Sequence, residues 1–202
     1  MKKLLSVLFS LLLVGLTAVS ASAETLNQYT VVSGDSLWKI AVRYQIGVSE
    51  LIGANPQIRN PDLIYPGDVL TIPAKDETVS SYEREVIRLV NEARASYGLK
   101  PLTENWELSR VARYKSQDMR DRHYFSHTSP TYGSPFEMIK AFGLSYRTAG
   151  ENIAYGYRTP KAVVDGWMNS SGHRANILNA SFTQIGVGYV PNGNYWTQMF
   201  IG

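Results

Sequence analysis

The sequence predicts an α+β protein made of two units. Three observations carry this: a short stretch that reads strand, helix, helix, strand; a polar break at residues 74–81; and a longer stretch whose helical spacing gives way to a period of two near its end.

The N-terminus comes first. Lys2 and Lys3 precede an apolar run from Leu4 to Val19 that ends in Ala21-Ser22-Ala23, the pattern of a signal peptide over residues 1–23, cleaved after Ala23. No later run is long and apolar enough to cross a bilayer, so the processed chain is expected outside the cytoplasm without a membrane span. The formal charge of +3 includes Lys2 and Lys3, so 3 − 2 leaves +1 after processing. That is no footprint of a nucleic-acid binder. With no cysteine there are no disulfides, and stability must come from core burial.

In the first unit, residues 28–73, Tyr29 and Val31 alternate with polar neighbours. Gly34-Asp35-Ser36 then supplies a turn and an N-cap for Leu37, Ile40, Ala41 and Tyr44 at helical spacing. Gly47 is expected to end that helix and Ser49 to cap a second one bearing Leu51 and Ile52, which Asn55-Pro56 stops. "GDVLTIP" reads as the closing strand.

"YTVVSGDSLWKIAVRYQIGVSELIGANP" followed by "LIYPGDVLTIP" resembles a LysM domain over the whole unit. The resemblance implies a shallow groove for N-acetylglucosamine-containing glycans, peptidoglycan or a chitin-like polymer. Its walls would be Gly34, Asp35, Ser36 and Leu37 on one side and Asn60, Ile64, Tyr65 and Pro66 on the other. Helix N-terminal amides suit an acetamido group and apolar side chains suit sugar faces, although Leu37 and Ile64 also suit a small core.

Residues 74–81 read as a linker, and the second unit spans 82–202. Ser80 and Glu83 form a capping-box pattern ahead of Val86, Ile87, Val90 and Ala93, with Gly98 closing the helix. Leu108, Val111, Ala112, Tyr114 and Met119 mark a second helix. Ser134-Pro135 and Thr159-Pro160 open a third, stopped at Gly143, and a fourth carrying Val163, Val164, Trp167 and Met168. "TQIGVGYV" and "YWTQMFIG" flank Pro191-Asn192-Gly193-Asn194 as a hairpin.

Three polar clusters remain: "YFSHTSP", "AGENIAYG" and "WMNSSGHRANIL". Together with "GVGY" they resemble a CAP domain (cysteine-rich secretory protein, antigen 5 and pathogenesis-related 1; SCP-like) in a cysteine-free bacterial form, which implies an α-β-α sandwich with a central cleft. On that resemblance His127, Glu151 and His173 converge in the cleft. They are candidate ligands of Zn²⁺ or another divalent cation, or candidate acid/base catalysts, or a buried network that only holds the cleft together. Many members carry a second Glu three residues after the helix tryptophan; after Trp167 this chain has Ser170, with Glu137 and Asp165 as substitutes of unknown position.

His123 and His127 share a helical spacing, but the aromatic and hydroxyl residues between and after them indicate a helix ending there, so His123 reads as a helix-end residue and not a ligand. Ser126, Ser170 and Ser171 neighbour the histidines, yet there is no cysteine and no Gly-x-Ser-x-Gly elbow. Trp167 and Trp196 read as core, and Arg174, Asn176 and Asn179 as hydrogen-bonding the segment after His173, with Asn176 alternatively facing the cleft. The reading is an exported wall-associated protein that binds peptidoglycan through its first unit and presents a cleft for an unassigned ligand or protein partner, with no cofactor required. Alternatives are a hydrolase of cell-wall material and a structural protein of the spore coat or cortex.

Overall fold

A computed structural model describes residues 27–202; the signal peptide expected over residues 1–23 lies outside them. In the first unit β1 (Asn27–Thr30) pairs antiparallel with β2 (Val69–Ile72), with Tyr29 opposite Leu70. Between them lie α1 (Leu37–Tyr44) and α2 (Val48–Gly53), the expected β-α-α-β order. Ser36 caps α1, its hydroxyl accepting from Lys39 N. Two boundaries differ from expectation. Gln45 adopts the left-handed conformation that ends α1, and Gly47 is the N-cap of α2, leaving Ser49 inside that helix. Leu37, Ile40, Ala41, Leu51, Leu70 and Ile72 form the core. So small a core is supplemented by Asn55, 1% exposed. Its Nδ2 donates to Leu51 O and Thr71 O, and its Oδ1 accepts from Thr71 N, tying α2 to β2.

The expected linker is shorter than 74–81, because α3 (Glu77–Ser96) begins inside it. Asp76 is the N-cap, its carboxylate accepting from Thr78 N and Val79 N. The Ser80/Glu83 capping box does not form. Val79, Glu83, Val86, Ile87 and Val90 share the inward face, so Glu83 is buried where a capping side chain would be solvated. Gly98, at φ +70°, follows α3 as expected.

The sheet of the second unit has the order β3-β5-β6-β4. The hairpin of β5 (Gln184–Val190) and β6 (Tyr195–Ile201) is as expected; β3 (Thr103–Glu104) and β4 (Ala149–Ala154) were not. On one face, α4 (Trp106–Asp121) and α5 (Pro135–Ala141) pack Leu108, Val111, Met138 and Ile139 against Met199 and Ile201. On the other, α3 and α6 (Pro160–Asn169) bury Val90, Val163 and Trp167 against Val187, Trp196 and Phe200. The result is the α-β-α sandwich. A further short helix, α7 (Ser171–Ile177), carries His173 and the start of the segment after it, where no element was expected.

The "GVGY" glycines explain how closely α4 lies on the sheet. A Cβ on Gly186 would stand 2.3 Å from Leu108 C, and one on Gly188 would stand 2.1 Å from Arg113 N, so only glycine admits the helix backbone. Beyond the two-residue β3, the free edge of β5 is capped by side chains: Val187 N donates to Ser109 Oγ and Tyr189 N to Glu83 Oε1. The two units touch where Arg110 of α4 donates to Glu50 Oε1 at 2.8 Å and to Ser49 Oγ at 3.1 Å. Among the described residues no helix is long and apolar enough to cross a membrane.

Candidate functional site

In the first unit a groove of about 320 Å³ runs between the N-terminus of α1 and the loop before β2. It gathers four expected residues, Asp35, Ser36, Leu37 and Ile64, and adds Trp38, Val48, Ile52, Pro61 and Asp62. Gly34, Asn60, Tyr65 and Pro66, expected as wall residues, are exposed but do not line this cavity. Asn60 forms a turn, its Oδ1 accepting from Asp62 N at 3.1 Å. Asp35 braces the loop: its carboxylate accepts from Tyr29 Oη at 2.6 Å and Val32 N at 3.0 Å, and the Tyr29 hydroxyl holds its carboxyl below the ordinary range. Leu37, 4% exposed, belongs to the core as well as to the floor of the groove. Trp38 is 65% exposed. It lies beside Leu37, off the stripe of Leu37, Ile40, Ala41 and Tyr44, and an indole on the polar face of an amphipathic helix is a signal that sequence reading passed over.

In the second unit, the opposed layers bring His127 and Glu151 together at the outer strand β4. His127 Nδ1 and Glu151 Oε1 are 2.7 Å apart; the carboxylate side chain is 2% exposed and the imidazole 54%. A carboxylate accepts only, so it assigns the Nδ1–H tautomer to a neutral His127 and leaves Nε2 as the free acceptor. Glu151 Oε2 is buried and has no hydrogen-bond partner among the described residues.

The loop that delivers His127 hangs from α4. Lys115, 1% exposed, donates from Nζ to Ser126 O and His127 O, both at 2.8 Å. Burial pushes its amine down, against the carboxylates of Glu151 and Asp118. One turn on, Asp118 accepts from Tyr124 Oη at 2.6 Å, Ser129 Oγ at 2.7 Å, Thr131 Oγ1 at 2.6 Å and Arg122 Nε at 3.1 Å. Burial alone would raise the Asp118 carboxyl, but these hydroxyls and Arg122 hold it below its usual range. His123 sits at φ +54° just past the helix end, exposed, as expected of a terminal residue.

His173, on α7, lines a cleft of about 590 Å³ with Ser170, Trp167, Phe125, Tyr155 and Tyr157. Burial lowers its pKa from the ordinary value, and a charge on His127 lowers it further, both favouring the neutral imidazole. Beneath it, Asn152 Nδ2 donates to His173 O and Gln198 Oε1, while Asn176 Nδ2 donates to Glu151 O and Asn152 Oδ1. This confirms Asn176 as a brace. Arg174 likewise donates to Met168 O, and Asn179 Oδ1 accepts from Ser181 N.

The substitutes for the missing second carboxylate are engaged elsewhere: Glu137 completes the capping box of α5 with Ser134, and Asp165 pairs with Lys161. Ser126 Oγ accepts from Thr128 N, and Ser171 is exposed. Trp167 and Trp196 are core residues at 1% and 0% exposure. Among the described residues no three His, Asp or Glu side chains are gathered so as to hold a metal ion, and His127 Nδ1 already faces a carboxylate oxygen. The residues present therefore do not fit the metal centre that the resemblance implies.

The model of the cysteine-rich secretory protein (CAP) family matches residues 87–200, and that of the LysM domain matches residues 29–73. The Bacillus subtilis protein YkwD is 60% identical over 132 residues, which cover 65% of this chain and 51% of YkwD. The secreted LysM effector ECP6 of Passalora fulva is 38% identical over 75 residues, covering 35% of this chain and 33% of the effector. A 1.5 Å crystal structure of an extracellular protein containing an SCP domain, from Bacillus anthracis, superposes with a TM-score of 0.59 at 33% identity, over 67% of this chain and 47% of that one. The chain spans about half the length or less of the curated relatives it matches. With more than half of its residues in one family model and the sandwich that the family predicts, the chain belongs to the CAP family and carries a LysM domain ahead of its CAP domain.

Proposed function

We propose that the protein is exported, associates with the cell wall by binding N-acetylglucosamine glycan of peptidoglycan in the LysM groove, and thereby holds its CAP cleft at the wall. The observation that carries this reading is the groove itself, where exposed Trp38 stands beside the capped N-terminus of α1 and the apolar side chain of Ile64. Apolar side chains cover the C–H face of a pyranose, and N-terminal amides meet its acetamido oxygen. Tethering raises the local concentration of wall components at the cleft. The test is co-sedimentation with purified sacculi: Trp38→Ala should weaken binding about ten-fold, the size of one lost aromatic anchor. Retention of full binding overturns the assignment of this groove.

A second reading, general acid/base hydrolysis of wall material, is favoured by the His127–Glu151 pair, which leaves a free imidazole nitrogen. Glycoside hydrolysis ordinarily needs two carboxyl groups, and no Asp or Glu lines the cleft among the described residues. Mass spectrometry of fragments released from peptidoglycan, with and without His127→Ala, separates the readings. Release that vanishes in the variant establishes catalysis.

A further inference from the structure

The cleft beside His173 carries an aromatic ledge with no part in the core. Phe125 is 47% exposed, Tyr155 58% and Tyr157 38%. These rings are fixed rather than dangling. Phe125 and Tyr155 meet edge to face with centroids 4.8 Å apart, and Tyr155 stacks on Tyr195 at 6.1 Å. The turn that bears Tyr155 and Tyr157 is pinned at both ends: Gly156 N donates to Asn194 O at 3.0 Å, and Trp196 Nε1 donates to Tyr157 O at 2.7 Å. Tyr157 lies so close to α6 that a Cβ on Gly166 would stand 2.6 Å from its hydroxyl. Exposed rings held rigidly by other rings and by backbone are arranged to meet a ligand, since ordering them costs nothing on binding.

The rest of the cleft narrows the ligand class. Among the described residues its lining holds no Asp, Glu, Lys or Arg, so an ionic ligand finds no fixed counter-charge there. Ser170, the Tyr155 and Tyr157 hydroxyls and His173 supply hydrogen-bonding groups along an otherwise apolar wall. The volume of about 590 Å³ lies within the roughly 300–1,000 Å³ usual for small-molecule sites. An uncharged molecule with a flat apolar face and a hydroxylated edge matches all of this, and a pyranose is that molecule.

We infer that the CAP cleft is a second saccharide subsite, in which an uncharged N-acetylhexosamine ring lies on Tyr155 and Phe125 with its polar edge towards Ser170 and His173. The inference rests on the reading that this chain binds wall glycan, because it places on the CAP domain a second grip on the polymer that the LysM groove holds.

The test is nuclear magnetic resonance of the nitrogen-15-labelled exported chain titrated with chitotetraose, the β-1,4-linked tetramer of N-acetylglucosamine. Amides of Gly34, Ser36 and Ile64 report the groove, and those of Gly156, Gly166 and His173 report the cleft. Both sets should shift. Tyr155→Ala, an exposed position whose loss leaves the core intact, should raise the Kd read from the cleft set about ten-fold, the worth of one aromatic contact, without changing the groove set. Trp38→Ala should do the reverse. Shifts confined to the groove set overturn this inference and leave wall binding standing, whereas the absence of shifts in both sets overturns the two together. Cleft shifts that are identical in wild type and Tyr155→Ala also overturn it, since the ledge would then not be the binding element.

Discussion

Glu83 offers a quantitative test of how the sandwich is held together. Its side chain is 3% exposed, its two oxygens accept from Arg113 Nε at 2.8 and 3.0 Å, and Oε1 also caps Tyr189 N at 3.1 Å on the free edge of β5. Burial pushes its carboxyl up from 4.5 to about 7, outweighing Arg113. The folded state holds the proton more tightly than the unfolded chain, so this contribution is complete below the unfolded pKa of 4.5 and is lost as pH rises through about 7. With those two values, linkage gives a loss of roughly 2–3 kcal/mol between about pH 5 and about pH 8. Glu83→Gln keeps an acceptor for Tyr189 N and cannot ionise. Urea denaturation followed by the near-ultraviolet circular dichroism of buried Trp167 and Trp196 should therefore show the variant gaining roughly 2–3 kcal/mol on wild type across that interval. Parallel pH profiles, or a wild type that gains on the variant as pH rises, would refute the reasoning and make Arg113 the dominant influence.

Other outcomes follow from the same contacts. Gly188→Ala should cost about 3 kcal/mol or more, or prevent the CAP domain from folding, because the new methyl meets helix backbone and not a movable side chain; thermal denaturation checks this. Lys115→Met strands the Ser126 and His127 carbonyls and should cost about 1–3 kcal/mol, while the His127 ring loses its fixed setting, visible as broadened imidazole resonances. Asn55→Ala should cost the LysM unit about 3 kcal/mol and melt it first, with the near-ultraviolet signal of Trp167 and Trp196 unchanged. Because Asp118 is held below its usual range, its contribution is present above about pH 4 and is lost on further acidification; Asp118→Asn should flatten that acid limb in a pH-dependent denaturation series.

The longer helices were legible because each buries a stripe at helical spacing, and β5 and β6 because a Pro-Asn-Gly-Asn turn separates two β-rich runs; α7, which buries only Ile177, was not. Nor was strand β4. Five of the six residues in "AGENIA" are buried, on both sides of the sheet, so there is no alternation to read, and Glu151 and Asn152 look like loop residues until their partners are seen. The Ser80/Glu83 pattern misled because a capping box and an inward-facing acid four residues after Val79 share one spelling. The pairing of His127 with Glu151 came from family resemblance, since nothing in a separation of twenty-four residues brings them together. Lys115 and Asp118 escaped notice for a related reason: charged residues on a helix read as its solvated face, and only the loop folded over them makes them interior.

The glycines of "GVGY" reach further than the helix they admit. They set the depth at which α4 rides on β5, and that helix bears Lys115 and Asp118, from which the His127 loop is suspended. Glu151 stands on the same sheet, two strands away. The 2.7 Å between imidazole and carboxylate is thus the closing dimension of a frame whose base is the absence of two methyl groups. A methyl restored at Gly186 or Gly188 that the fold survived would lift the helix and its hanging loop together, opening the dyad with every residue around it unaltered.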